Sequence, residues 1–223
     1  RKINEIFYSL QGEGFHTGQG IFNLSTLELE NMKLNVKDLS LIKPFYTSEK
    51  LKKYYGASDN DFWVIYTDSS YKDKNSLDDF PLIKNHLDKF QKIITSHNKP
   101  YGLHRARDER FFTGEKILSL RKCVEPTFTY TNFDCYVSQT YFSIKTDRLS
   151  LKFLTALLNS TTMKFWLKYK GKMQGDIFQV DKEPLLGMPI KMSSSIEDFS
   201  EKVDVIILFN QQLHEHKNKF KSS

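Results

Sequence analysis

The side chains best placed to do chemistry are the basic ones, and they are unevenly spread. Between Lys99 and Lys172 there are 14 Lys and Arg against 6 Asp and Glu, whereas residues 1–98 carry 13 of each and residues 173–223 carry 6 against 8. The middle segment therefore holds more than the whole net charge of +6. Clustered cations attract a polyanion, and each one that meets a phosphate releases a condensed counterion, so the affinity they supply falls with salt. Cations also keep a surface soluble, and the charge map by itself fits both readings. Spacing singles out particular side chains. Arg105 and Arg107 are two apart, which on an extended segment sends both to one side; pairing with Asp108 or Glu109 is the alternative. Lys50, Lys52 and Lys53 form a basic run, which also fits a solvated helix face. Lys164 and Lys168 share one helical face, with Lys172 just beyond Gly171. His16, Thr17 and Gln19 lie among Gly12, Gly14, Gly18 and Gly20, where the backbone can approach a ligand closely. Gln139 and Thr140, in a run with strand character, read as structural.

Catalysis has no comparable foothold. The glycine stretch lacks the Lys-Ser or Lys-Thr of a phosphate-binding loop, and no strand-turn-helix unit frames it as a dinucleotide site. There is no Asn-Pro-Pro-Tyr to grip a flipped adenine and no glycine motif for S-adenosylmethionine. No His-Glu-x-x-His helix and no Gly-x-Ser-x-Gly elbow occur. Glu115 and Lys116 are adjacent rather than in a nuclease Glu-x-Lys. His214 and His216 are two apart and so point to different faces of a helix. Cys123 and Cys135 are too few for a structural zinc site and read as reduced cysteines in or near strands. No catalytic residues and no metal site are assigned.

The elements that must carry the cations are mixed. Phe62 to Tyr66 is a β-rich run ending at the turn composition Thr67-Asp68-Ser69-Ser70. Leu77 to Ile94 reads as a helix with Ile83, Leu87, Phe90 and Ile94 on one face and Pro81 in its first turn. Ile117–Leu120, Thr127–Tyr130 and Tyr136–Ile144 read as strands of a mostly antiparallel sheet. Leu151 to Tyr169 returns to helix with a broad apolar stripe, and Gly171 stands at its C-terminal cap. A last helix begins near Ser195, with Asp198 as a capping partner and an apolar seam from Phe199 through Val203, Ile206 and Ile207 to Leu213. Its polar end, His214 to Ser223, is expected to fray. The fold class is α+β: a β-rich body with flanking helices and a C-terminal helix.

Several segments together resemble the TaqI-like C-terminal specificity domain of type II restriction-modification enzymes. Gly14-Phe15-His16-Thr17-Gly18 is similar to that family's Gly-x-x-Thr-Gly loop. Leu41 to Phe45 leading to Lys50-Leu51-Lys52-Lys53-Tyr54 is similar to its segment ending in a basic residue and Tyr. Trp63 to Tyr66 and Phe80 to Leu87 resemble its strand and following helix. Leu103-His104-Arg105-Ala106-Arg107 resembles its Leu-His-x-x-Arg element, ahead of the Lys116-Ile117 strand. Leu157-Leu158-Asn159-Ser160 and Leu186-Gly187-Met188-Pro189-Ile190 resemble its Leu-Asn-Ser helix and closing turn. Pro100-Tyr101-Gly102 departs from the pattern, since many relatives carry a Trp before the Leu-His pair. The pieces run in family order from Gly12 to Ile190.

The resemblance implies a domain that binds duplex DNA and selects its sequence while a separate N-terminal methyltransferase domain of the same polypeptide, using S-adenosylmethionine, does the chemistry, with or without cleavage. It adds His104 to Arg105 and Arg107 as a DNA-facing residue. The expected organisation is a target-recognition domain over residues 1–190 and a C-terminal helix with polar tail over 191–223. Composition, the absence of a signal peptide and Arg1 in place of Met lead to the expectation of a soluble, cytoplasmic piece of a longer enzyme. The apolar seam of the last helix supports an alternative, a dimerisation or interaction module of a specificity subunit.

Overall fold

The computed structural model describes residues 20–192 and 194–221. The chain folds as two compact units. Unit 1 comprises Arg1–Phe45 and Asn60–Asp108; unit 2 comprises Tyr46–Asp59 and Glu109–Ser223. The opening glycine stretch, with His16, Thr17 and Gln19, lies outside the described residues.

In unit 1 a three-stranded antiparallel sheet is ordered β1 (Asn23–Ser25), β4 (Phe62–Ile65), β2 (Ile42–Phe45). Its helices are set by local caps. Ser25 opens α1 (Thr26–Met32) with a reciprocal capping box: its hydroxyl accepts from the Glu28 N–H, and Glu28 accepts from the Ser25 N–H. Asn35 caps α2 (Val36–Leu39). Inside it, the wholly buried Asp38 accepts from the Ile83 N–H at 3.2 Å, serving the first turn of α3 (Pro81–Asp88). The sequence pattern placed one helix over Leu77 to Ile94, but α3 is shorter, and turns continue beyond it. Ile83, Leu87, Phe90 and Ile94 are nonetheless all buried in one cluster with Leu24, Ile42 and Ile65. Periodicity captured the buried face and overran the helix.

Unit 2 is built on a four-stranded sheet ordered β3 (Tyr54–Tyr55), β7 (Phe128–Thr131), β5 (Lys116–Leu120), β8 (Tyr141–Ile144), in which only the β3–β7 pair is parallel. The strand expected over Tyr136–Ile144 starts only at Tyr141. Ahead of it the Ser138 hydroxyl bonds the Thr140 hydroxyl and N–H, closing a local turn that competes with the ladder. The helix expected over Leu151–Tyr169 is two: α4 (Leu151–Leu158) and α5 (Thr161–Lys170). Asn159 leaves the helix to bond the sheet, and Ser160 caps α5 through the Met163 N–H. At the end of α5, Gly171 is extended rather than left-handed; it is needed for space, since a Cβ there would lie 2.5 Å from the Leu167 carbonyl. A short helix, α6 (Lys182–Leu186), precedes α7 (Ile196–Lys221). Of the tail expected to fray from His214 to Ser223, the described part continues as helix to Lys221, and its first residue is tied down: the His214 ring bonds Asp59 at 2.7 Å, and Lys50 holds the other Asp59 oxygen at 2.5 Å. Burial alone would raise the Asp59 carboxyl, but these two partners hold it below its ordinary value.

Candidate nucleic-acid interface

In unit 1 the segment from Asn98 to Arg107 is irregular yet fixed through its backbone. Leu103 N–H donates to Thr67 O at 2.8 Å, and the buried Thr67 hydroxyl donates to Tyr101 O at 2.6 Å. Asn98 Nδ2 donates to Leu103 O at 2.9 Å. The Tyr66 hydroxyl donates to Arg107 O and accepts the Arg107 N–H. Gly102 permits this closure, because a Cβ would fall 2.5 Å from Asp68 O and 2.6 Å from Asn98 Cβ. The result is a rigid support carrying exposed polar groups. The exposed His97 and His104 rings lie 5.2 Å apart, and Arg105 is exposed beside them.

The geometry corrects one expectation for this segment. Arg105 has φ +57°, in the left-handed region, so the chain is not extended there and the two-residue alternation that put Arg105 and Arg107 on one side fails. Arg105 points to solvent, while Arg107 is half-buried and desolvation lowers its guanidinium below the ordinary value. Glu109 accepts from the Tyr136 hydroxyl.

In unit 2 the lysines divide by role. Lys50 is taken by Asp59 and has only 15% of its side chain exposed, a structural position. Lys52 donates to Ser48 O at 3.0 Å while remaining exposed. Lys53 and Lys164, far apart in sequence, meet at Glu125 with N–O distances of 3.8 and 3.3 Å. That carboxylate is about half exposed, so each contact is a weak, screened one. Lys168 lies exposed over the Tyr169 ring. Lys172 opens a second small sheet.

That sheet was not anticipated. It is ordered β6 (Lys122–Cys123), β10 (Ile177–Gln179), β9 (Lys172–Gln174), all antiparallel. Phe178 stands opposite both Met173 and Cys123, and it is buried in the unit 2 core with Val180 and Leu167. By alternation the other face carries Lys122, Lys172, Gln174, Ile177 and Gln179. Gly175, at φ +60°, makes the tight turn between β9 and β10, a conformation that glycine adopts without steric cost. A signal for it exists in the sequence: a Gly-Asp pair between short alternating runs is a hairpin signature. Lys122 and Lys172 both belong to the basic middle segment, and spacing singles out only Lys172.

Among the described residues no group of three His, Cys, Asp or Glu side chains could hold a metal ion, and no helix is long and apolar enough to cross a membrane.

Residues 43–190 match the TaqI-like C-terminal specificity domain family. Among solved structures the chain is similar to the type IIL restriction-modification enzyme MmeI in complex with DNA, with a TM-score of 0.52 and 12% identity over 74% of this chain. The chain spans 22% of that enzyme's length, and the likeness is one of fold. No curated protein matches the sequence.

Proposed function

The chain belongs to the family of TaqI-like C-terminal specificity domains, and from that premise we propose that it selects a base sequence in duplex DNA for a restriction-modification enzyme without performing catalysis itself. The observation that carries the reading is the Asn98–Arg107 segment. It lies within the family match, its backbone is fixed from Tyr66, Thr67 and Asn98, and it leaves His104 and Arg105 in solvent. A rigid support with an exposed guanidinium and imidazole positions a phosphate backbone at little entropic cost. Lys52, Lys53, Lys164, Lys168 and Lys172 are proposed as further phosphate contacts, Lys50 and Arg107 as supports of neighbouring structure. His16, Thr17 and Gln19 stay in the proposed interface on sequence grounds. Methyl transfer, cleavage where it occurs and the S-adenosylmethionine site are proposed to belong to a separate domain of the parent enzyme, in which adenine is the methylated base.

Fluorescence anisotropy with a duplex at low and physiological salt tests the reading. Weak binding is expected, falling steeply with salt, and Arg105→Ala should lower the salt slope by about one with no change in melting temperature. In the double variant with Arg107→Ala, part of the loss comes from packing, because Arg107 is half-buried. Undetectable or salt-independent binding at low salt overturns the proposal.

A second reading is favoured by α7. Val203 and Ile207 are turned toward the rest of unit 2, whereas Val205, Leu208, Phe209 and Leu213 lie on the opposite side of the helix and are each at least half exposed. We infer that this outer face pairs with a second copy of the chain, a role compatible with DNA binding. Sedimentation velocity should then give a concentration-dependent dimer that Leu208→Glu with Phe209→Lys converts to monomer. A wild-type chain that stays monomeric at high concentration excludes it.

A further inference from the structure

Resting on the DNA-recognition reading above, we propose that the β9–β10 ribbon enters the major groove and reads an A·T base pair through Gln174 and Ile177. The outward face of the β6–β10–β9 sheet is arranged in two rows. Nearest the turn, Gln174 stands directly opposite Ile177. Behind them, Gln179 is flanked by Lys172 on one side and Lys122 on the other.

Each row has a chemistry. The Gln174 amide presents an acceptor and a donor side by side, the complement of the adenine N7 acceptor and N6 amino donor. Cross-strand neighbours are separated by about 5 Å at Cβ, so Ile177 is within one base-pair edge of Gln174 and can meet the thymine methyl. In the second row Lys122 and Lys172 are two strand spacings apart, about 10 Å, close to the roughly 12 Å width of the major groove. They are placed to reach the phosphates on its two sides. The Gln179 amide is held by Asp181 at 3.0 Å, which fixes its orientation between them.

Three observations make this a reading surface rather than an ordinary sheet face. The side chains of Lys122, Lys172 and Gln174 are exposed and have no polar partner among the described residues, whereas Lys50, Lys53, Lys152 and Lys164 all bond a carboxylate. Ile177 is 40% exposed on the same face as Gln174, where its side chain is accessible to a methyl group. The opposite face is anchored by the buried Phe178, so the ribbon is carried by the core rather than hanging from it. The outer face carries no aromatic side chain on which unpaired bases could stack, which favours a duplex over a single strand. The acid of the ribbon, Asp176, sits in the turn, and residues 164–182 hold five lysines against two aspartates.

The test is selection from a randomised duplex pool by the wild-type chain and by Gln174→Ala, Gln174→Arg, Lys122→Ala and Lys172→Ala, each checked for an unchanged melting temperature. The wild-type chain should enrich a sequence. Gln174→Ala should lose about 10- to 100-fold of its preference at one A·T pair, with affinity for mixed-sequence duplex within about twofold of wild type. Gln174→Arg should move that position toward G·C, since arginine matches guanine O6 and N7. Lys122→Ala and Lys172→Ala should weaken all duplexes alike and each lower the salt slope by about one. If the wild-type chain enriches a sequence and both Gln174 variants select the same one, the ribbon assignment is overturned and DNA recognition stands. If it enriches none, the recognition reading falls and takes the ribbon with it.

Discussion

Asn159→Ala is expected to destabilise unit 2 by about 3–5 kcal/mol and to lower its melting temperature by roughly 6–15 °C. One buried amide here satisfies both main-chain groups of a strand residue. Asn159 Oδ1 accepts the Phe128 N–H at 3.1 Å, and its Nδ2 donates to Phe128 O at 2.8 Å and to Thr155 O at 3.0 Å. Phe128 is wholly buried, so no water replaces the lost partners, and each orphaned group costs about 1–3 kcal/mol. The effect is local to the junction where α4 meets β7. It can be followed by urea unfolding through Trp166 fluorescence in a Trp63→Phe background, which leaves one tryptophan, in unit 2.

Asn159→Asp separates the two halves of the bond. An ionised carboxylate still accepts from the Phe128 N–H but faces the Phe128 carbonyl without a proton to donate. Its folded-state pKa is therefore raised above the unfolded carboxylate range, the folded state binds more protons than the unfolded one, and stability rises as pH falls through that window. Partial recovery between pH 7 and pH 5 in Asn159→Asp, absent in Asn159→Ala, is the expected signature. A variant as stable as wild type at pH 7 would show that the amide is not what joins helix to sheet.

Asn159 also illustrates what the sequence could and could not convey. Leu157-Leu158-Asn159-Ser160 was legible as a family motif, yet hydrophobic periodicity runs through it and reads one continuous helix from Leu151. The break arises because a side chain bonds a strand some thirty residues away, and no local window contains that partner. Core faces with a strong period were legible: Ile83, Leu87, Phe90 and Ile94 all reached the core. Residues whose role depends on a distant partner were not. Lys50 looked like its neighbours Lys52 and Lys53, but Asp59 and the far end of α7 claim it. Arg105 reads in sequence as half of an extended pair, and its left-handed φ breaks that alternation. The outer face of β6, β9 and β10 was hidden for a related reason: charge counting weighs lysines and passes over glutamines, and strands of two or three residues give little alternation to count.

Lys116 is the sharpest case, since it contributed to the positive middle segment and is wholly buried. Its ammonium donates to Gly114 O at 2.8 Å and to Phe133 O at 2.6 Å. Desolvation lowers it to about 8, opposed by Cys135 and Asp134 and assisted by Lys145. Below that value both folded and unfolded chains are protonated, and the folded state carries the full cost of a buried charge. Between about 8 and the ordinary 10.5 the unfolded chain keeps the proton that the folded chain has released, so stability rises with pH, by about 3 kcal/mol over the whole window. Cys135, raised by burial to about 12, and the buried tyrosines push the opposite way, because their unfolded forms ionise first. The lysine is therefore isolated by comparison with Lys116→Met, which fills similar space and has no proton to lose. Unfolding both proteins in urea at pH 7.5 and pH 10 should show wild type gaining about 2–3 kcal/mol relative to the variant. Parallel stability profiles would mean that Lys116 keeps its proton in the fold, held by the two carbonyls strongly enough to offset its burial.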